Sequence, residues 1–113
     1  MVRLLIVDDS TFMRKALRHM VSADPEIEVI AEAGDGREAM EKVLALKPDV
    51  VTMDLIMPGV DGLWALEEIM KQRPTPVIIV SSVGTKTADV TKEAFDLGVV
   101  DVLCKLNMIF GAP

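Results

Sequence analysis

Acidic residues follow two short hydrophobic runs in this sequence. Asp8 and Asp9 come directly after residues 4–7, and Asp54 comes shortly after a run that begins at Val50. Carboxylates that lie close together repel one another, and one of them takes up a proton unless a cation intervenes. If the fold brings the three residues together, they predict a site for a hard divalent cation.

Magnesium suits such a site because it prefers oxygen ligands, keeps several waters, and takes one or two carboxylates together with phosphate oxygens. Manganese shares this preference for oxygen and is the alternative ion. We expect Asp9 and Asp54 to be direct ligands and Asp8 to bind directly or through water. The backbone carbonyl of Ile56, just past Asp54, is a further candidate ligand.

The same site is suited to phosphoryl transfer. A carboxylate in line with a phosphoryl donor can act as a nucleophile and form an aspartyl phosphate, and Asp54 is the candidate. The transfer needs positioning and neutralisation of charge, to which the ammonium group of Lys105 would contribute. Ser81 could donate a hydrogen bond to a phosphoryl oxygen, and the movement of its hydroxyl is a candidate switch.

Two hydrophobic periods alternate along the chain and predict the elements that position these residues. Nearly continuous β-branched runs are typical of strands buried on both faces, and helical spacing of apolar residues indicates amphipathic helices. In the first helix, Phe12, Met13 and Leu17 fall on the apolar side, and Ser10 or Thr11 is placed to cap it. The predicted strands are residues 4–7, 29–30, 50–51, 77–80 and 99–103, and the predicted helices are residues 11–22, 36–46, 62–72 and 86–97.

The alternation of strands and helices predicts an α/β fold with a doubly wound, five-stranded parallel sheet. Its expected strand order is 2-1-3-4-5, the flavodoxin-like one of the two common doubly wound solutions. Ligands of such sheets bind beyond the carboxyl ends of the strands, where the strand order reverses. We therefore expect the acidic residues, Ser81 and Lys105 to converge on one edge of the sheet. Gly98 is placed to end the last helix.

Composition excludes several classes of protein. The chain has 113 residues, enough for one domain. Its 18 acidic and 12 basic side chains give a formal net charge of −6, which disfavours binding to nucleic acid or to an anionic membrane surface. Its single cysteine, Cys104, excludes an internal disulfide and a four-thiolate zinc site. No apolar run reaches the 18 or so residues of a membrane span. We expect a cytoplasmic protein.

Together, these motifs resemble the response-regulator receiver domain. The resemblance rests on IVDDS at residues 6–10, DVVTMDLIMPGVDG at residues 49–62, Ser81 and Lys105, and it covers residues 2–105. More narrowly, the chain resembles the receiver of the chemotaxis protein-glutamate methylesterase. That likeness rests on Met13 with Arg14, on RPTPV at residues 73–77 and on GVVD at residues 98–101.

The resemblance implies a role for each site residue. Asp54 would be the phosphoacceptor, Asp8 and Asp9 the magnesium-binding acids, Ser81 the switch hydroxyl and Lys105 the phosphate contact. A sensor histidine kinase would donate the phosphoryl group within a two-component chemotaxis system. The receiver would control a C-terminal methylesterase domain that this chain does not contain. It would itself be regulatory, while the full-length protein would be a hydrolase.

Three departures from the family pattern lie towards the C-terminus. Leu106 stands where a proline usually follows the lysine, so we expect a trans bond before it. Val102 replaces an aromatic residue that moves on activation in many receivers. We expect the last helix to be missing or altered, which would divide the chain into a receiver at residues 1–105 and a short, truncated or altered tail at residues 106–113. Either this tail folds back over the bare sheet surface, or a homodimer covers it.

Two other functions fit the same fold. An aspartate-dependent phosphohydrolase usually carries an Asp-x-Asp pair after the first strand, whereas Asp8 and Asp9 are adjacent. A protein-interaction module that is never phosphorylated is the second alternative, and it rests on the departures around Lys105. A flavin binder is disfavoured because the acidic edge would repel the flavin phosphate.

Overall fold

Strands and helices alternate along the chain. A computed structural model describes residues 1–55, 62–81 and 87–104, except for the side chains of residues 81, 87–91 and 104. The elements are β1 (Val2–Val7), α1 (Thr11–Val21), β2 (Ile27–Ala33), α2 (Gly36–Leu46), β3 (Val50–Met53), α3 (Gly62–Gln72), β4 (Val77–Ser81), α4 (Thr87–Leu97) and β5 (Asp101–Cys104). Among the described residues, no helix is long and apolar enough to cross a membrane.

The five strands form one parallel sheet in the order β2-β1-β3-β4-β5, which confirms the predicted fold class and strand order. The winding reverses next to β1, so the carboxyl ends of β1 and β3 lie side by side. β2 is longer than the two residues predicted for it. Its pairing with β1 includes the polar residues Glu28 and Glu32, which hydrophobicity alone does not assign to a strand.

Hydrophobic side chains pack on both faces of the sheet. Along β1, Leu5 and Val7 join the cluster formed with α2, α3 and α4, whereas Leu4 and Ile6 pack with Leu17 of α1. This alternation is the two-residue period of a strand. Burial on both faces holds β1 rigidly, and the residues that follow it therefore start from a fixed point.

The first helix begins at the predicted residue, but one of its side chains is not buried as predicted. Ser10 is the N-cap, and its Oγ accepts a hydrogen bond of 3.1 Å from the Met13 amide. Met13 and Leu17 are buried, whereas Phe12 is 66% exposed, so its predicted place on the buried side is wrong. Each helical residue is rotated by about 100° from the one before it. The rotation that turns Met13 towards the sheet therefore turns Phe12 outwards.

The connection into β5 also differs from the prediction. Gly98 ends α4 with a φ of +105°, as expected, but the strand begins at Asp101 rather than at residue 99. The Val100 amide already donates to the Val77 carbonyl at 2.8 Å, while its side chain is 62% exposed. Leu103 is 39% exposed, so the predicted burial on both faces is wrong for β5, the edge strand of the described sheet.

Candidate functional site

Asp8 and Asp54 lie side by side because of the register between β1 and β3. Val7 pairs with Met53, and each aspartate is the residue that directly follows its strand. The Asp54 amide donates to the Val7 carbonyl at 3.0 Å, and the Asp8 amide donates to the Ala33 carbonyl at 3.0 Å. The backbones of both residues are therefore tied to the neighbouring strands.

Three carboxylates gather at this edge of the sheet. One carboxylate oxygen from each of Asp8, Asp9 and Asp54 lies within 4.8 Å of the other two. Asp8 is fully buried and Asp54 is 5% exposed, whereas Asp9 is exposed to solvent. At an effective dielectric of about 20, two unit negative charges 4.8 Å apart repel by about 3 kcal/mol. An oxygen-only donor set of this charge fits a hard divalent cation.

The turn between β1 and α1 orients the Asp8 side chain. The Ser10 amide donates to Asp8 Oδ1 at 2.9 Å, while the Ser10 hydroxyl caps the helix. An aspartate that accepts a hydrogen bond from the amide two residues on forms an Asx-turn. The carboxylate of Asp8 is thus aligned by the same turn that starts α1.

A guanidinium group lies against this turn. Arg14 Nη1 donates to the backbone carbonyl of Asp8 at 2.6 Å, and Arg14 Nε donates to Glu32 Oε1 at 3.1 Å. Arg18 binds the other oxygen of Glu32, with Nη2 at 2.7 Å. Partial burial acts to raise the pKa of Glu32, but the hydrogen bonds and charges of Arg18 and Arg14 outweigh it and lower that pKa. Glu32 is therefore held in its charged form between two cations.

Gly62 packs tightly against the backbone that carries Asp54. It is the buried first residue of α3, and its amide donates to the Leu55 carbonyl at 3.2 Å. A Cβ atom at this position would lie 2.6 Å from Leu55 Cα. Only glycine allows the helix to start so close to the strand end that carries Asp54.

The structure brings together the three acidic residues that the sequence singled out. Ser81 is the last residue of β4, which borders β3, but its hydroxyl lies outside the described part of the chain. Ile56 and Lys105 lie outside the described residues, and so do Leu106 and the tail at residues 106–113. The roles predicted for these residues stay predictions.

Sequence reasoning missed two residues that shape the site. The family motif includes Arg14 without giving it a role, although an arginine one turn after the helix cap can reach back to the preceding strand end. Gly62 was noted only as part of a longer motif. A glycine at the first position of a helix, where no flexibility is needed, was the available signal of a close contact.

The sequence matches the family model described as "Response regulator receiver domain" over residues 4–108. This chain belongs to the response regulator receiver family. Its parallel sheet, with three acidic side chains at the carboxyl ends of β1 and β3, is the sheet of a receiver domain. The family predicted from the motifs is confirmed.

The narrower resemblance is confirmed as well. The receiver is 58% identical over 104 residues to "Protein-glutamate methylesterase/protein-glutamine glutaminase 2" of Carboxydothermus hydrogenoformans, covering 92% of this chain and 29% of that relative. It is 48% identical over 104 residues to a protein-glutamate methylesterase/protein-glutamine glutaminase of Pyrococcus horikoshii, covering 92% and 28%. The chain thus spans less than a third of the curated relatives it matches.

Solved structures give the same result. The response regulator domain of Thermotoga maritima CheB superposes with a TM-score of 0.90 at 45% identity, covering 99% of this chain and 88% of that one. A CheX–CheY–BeF3–Mg2+ complex from Borrelia burgdorferi matches with a TM-score of 0.83 at 29% identity, covering 96% and 87%. The receiver fold is therefore shared over nearly the whole chain.

Proposed function

We propose that this receiver is a phosphorylation-dependent switch in two-component chemotaxis signalling. Asp54 accepts the phosphoryl group, and Asp8, Asp9 and Asp54 hold Mg2+ or Mn2+, with the backbone carbonyl of Ile56 as a further ligand. The observation that carries the proposal is the gathering of three carboxylate oxygens within 4.8 Å at the adjoining ends of β1 and β3.

The burial of the acidic residues supports this division of roles. Asp8 is fully buried and anchored by the Ser10 amide, so it is suited to hold a ligand in one place. Asp54 is 5% exposed, and its backbone is fixed between β1 and the start of α3. A nucleophile needs this kind of fixed position, because transfer of a phosphoryl group depends mainly on alignment and charge.

In the reaction, one carboxylate oxygen of Asp54 forms a bond to phosphorus as the phosphorus–nitrogen bond of a phosphohistidine breaks. The histidine ring of the donor kinase keeps the electron pair of that bond and takes up a proton. Mg2+, when bound by the three carboxylates, would offset their negative charge and that of the phosphoryl group. The Lys105 ammonium group contacts the phosphoryl group, and the Ser81 hydroxyl donates to it and thereby changes position.

The output follows from the relatives. Because they are methylesterases of more than three times this chain's length, the proposed partner is a C-terminal methylesterase domain controlled by the receiver. The longer protein would then be a cytoplasmic hydrolase, and a sensor histidine kinase would be its phosphoryl donor. A homodimer through the sheet surface near β5 is a further part of the proposal, supported by the exposed Val100 and Leu103. Light scattering of the purified chain tests it, and a monomer would contradict it.

Intact-mass spectrometry after incubation with Mg2+ and acetyl phosphate tests the proposed chemistry. We expect one added phosphoryl group per chain, none when Mg2+ is removed with EDTA, and none in Asp54→Asn. Asp96→Asn is the matched control, since it removes the same charge from an exposed position on α4 and should be labelled like the wild type. An unlabelled wild type, or a labelled Asp54→Asn, would contradict the proposal.

The same samples distinguish a switch from a phosphohydrolase. A receiver keeps a single phosphoryl group and releases it slowly, whereas a phosphohydrolase releases many phosphates per chain from p-nitrophenyl phosphate. We expect no multiple turnover. Sustained release of nitrophenol that depends on Asp54 would favour the enzyme instead.

A further inference from the structure

Arg14 links three parts of the molecule next to the acidic site. Its guanidinium group donates to the Asp8 carbonyl at 2.6 Å, to Glu32 of β2 at 3.1 Å, and to the Thr11 hydroxyl at 3.2 Å. Its side chain is only 19% exposed. A planar guanidinium with several donors in fixed directions can hold such partners in one geometry.

We propose that Arg14 is a positioning residue for the metal site and that it acts on Asp9. The carbonyl that Arg14 binds belongs to the peptide bond between Asp8 and Asp9. A peptide unit is planar, so fixing its carbonyl oxygen also fixes the direction in which the next Cα lies. The inference rests on the proposed metal-binding function.

Two other hydrogen bonds of this turn hold atoms outside the Asp8–Asp9 peptide plane. The Asp8 amide is tied to β2 and its carboxylate to the Ser10 amide, but both groups lie on other atoms of the turn. Asp9 is the exposed member of the three acids. Because the packing of the core does not hold it, the orientation of its side chain depends on its backbone.

Glu32 keeps Arg14 in place. One of its oxygens accepts from Arg14 Nε, and the other lies 2.7 Å from Arg18 Nη2. Arg18 therefore shares the same carboxylate, but its side chain is 47% exposed and none of its described contacts reaches the turn after β1. This difference makes Arg18 the matched control for Arg14.

Positioning and simple electrostatics predict opposite results. If Arg14 acted only through its charge, Arg14→Gln would make the site more negative and strengthen Mg2+ binding, and Arg14→Lys would leave it unchanged. If Arg14 positions the peptide, both variants lose the fork that binds the Asp8 carbonyl and Glu32 together. Removing a group that orients a metal ligand typically weakens binding by about 10- to 100-fold.

Calorimetric titration with Mg2+, without any phosphodonor, measures this directly. We expect the dissociation constant to rise about tenfold in Arg14→Lys and Arg14→Gln and to stay within about twofold of the wild type in Arg18→Gln. Amide NMR spectra should show the largest changes at Asp9 in the Arg14 variants. Urea unfolding of each variant separates loss of binding from loss of fold, and Arg14→Lys decides the result if Arg14→Gln does not fold.

The outcomes separate this inference from the proposed function. A wild-type chain that binds no Mg2+ overturns the proposed metal site, and the role of Arg14 falls with it. If the wild type binds Mg2+ and Arg14→Lys binds it equally well, only the role of Arg14 is overturned. A loss of affinity in Arg18→Gln as large as in Arg14→Lys would also overturn it, since the ion pair with Glu32 would then be the cause.

Discussion

Replacing Gly62 with alanine should displace the strand end that carries Asp54. The added Cβ would lie 2.6 Å from Leu55 Cα and 3.1 Å from the Leu55 carbonyl carbon. Carbon atoms in contact prefer separations of about 3.5–4.0 Å, so the two backbones must move apart by about 1 Å. No side-chain rotation can relieve the clash, because the atoms it meets are backbone.

Each way of making room disturbs packed groups. If α3 moves outwards, Leu66 and Ile69 lose their buried contacts, and if the strand end moves, Asp54 leaves its position. Overpacking of this kind costs about 1–3 kcal/mol. Alanine in a helix is favoured over glycine by about 1 kcal/mol, which offsets part of that cost. We therefore expect Gly62→Ala to lower the free energy of unfolding by about 1 kcal/mol.

Two assays test this prediction. Urea unfolding measures the change in stability, and the rate of labelling by acetyl phosphate, under conditions where the variant is folded, measures the displacement of Asp54. A misplacement of about 1 Å can slow a reaction by about 100-fold, and we expect at least a tenfold loss. Gly34→Ala is the control, because its Cβ would lie an ordinary 3.6 Å from Arg14 Nη1. If Gly62→Ala matches the wild type in both assays, the reasoning is refuted.

Three further predictions concern stability. Thr52 Oγ1 is buried and has no hydrogen-bond partner among the described residues, so Thr52→Val should raise the free energy of unfolding by about 1 kcal/mol. Thr75→Val should lower the free energy of unfolding by about 1 kcal/mol, because Thr75 Oγ1 donates to the Arg73 carbonyl at 2.9 Å. Urea unfolding checks both, and a loss of stability in Thr52→Val would contradict the first. The ion pairs with Arg18 and Arg14 hold the pKa of Glu32 in the folded protein below its ordinary value of 4.5. The stability that these ion pairs contribute is therefore complete above that pH and is lost as the pH falls through the folded pKa. The stability difference between the wild type and Glu32→Gln should therefore shrink below about pH 4.5, and a constant difference in acid unfolding would argue against the ion pairs.

The acidic site was predictable because its parts are local features of the chain. A hydrophobic run that ends at Val7 and another that begins at Val50 are each followed by an aspartate at a strand end. Alternation of strands with helices then requires parallel strands whose carboxyl ends share one edge. The gathering of Asp8, Asp9 and Asp54 needed no knowledge of side-chain packing, and the structure agrees with it.

Features that depend on the angle between elements were not predictable in this way. The exposed position of Phe12 follows from the rotation of α1 over the sheet, which the hydrophobic pattern places only to within one residue. The start of β5 at Asp101 follows from the pairing of that residue with Ile78 of β4. Two apolar residues are adjacent at Phe12-Met13 and at Val99-Val100, and tertiary geometry decides which of each pair is buried.

Sequence alone determined the order of the elements and the three acids that follow two of the strands, because periodicity and strand ends depend on neighbouring residues. The strand order 2-1-3-4-5 was one of two common solutions, and the structure confirmed it. Only the tertiary structure showed that Arg14 binds the Asp8 carbonyl and that Gly62 packs on Leu55. These contacts join residues on different elements, and their distances depend on how a helix is seated on the sheet. That seating is set by the packing of the whole core, which no short segment of sequence contains.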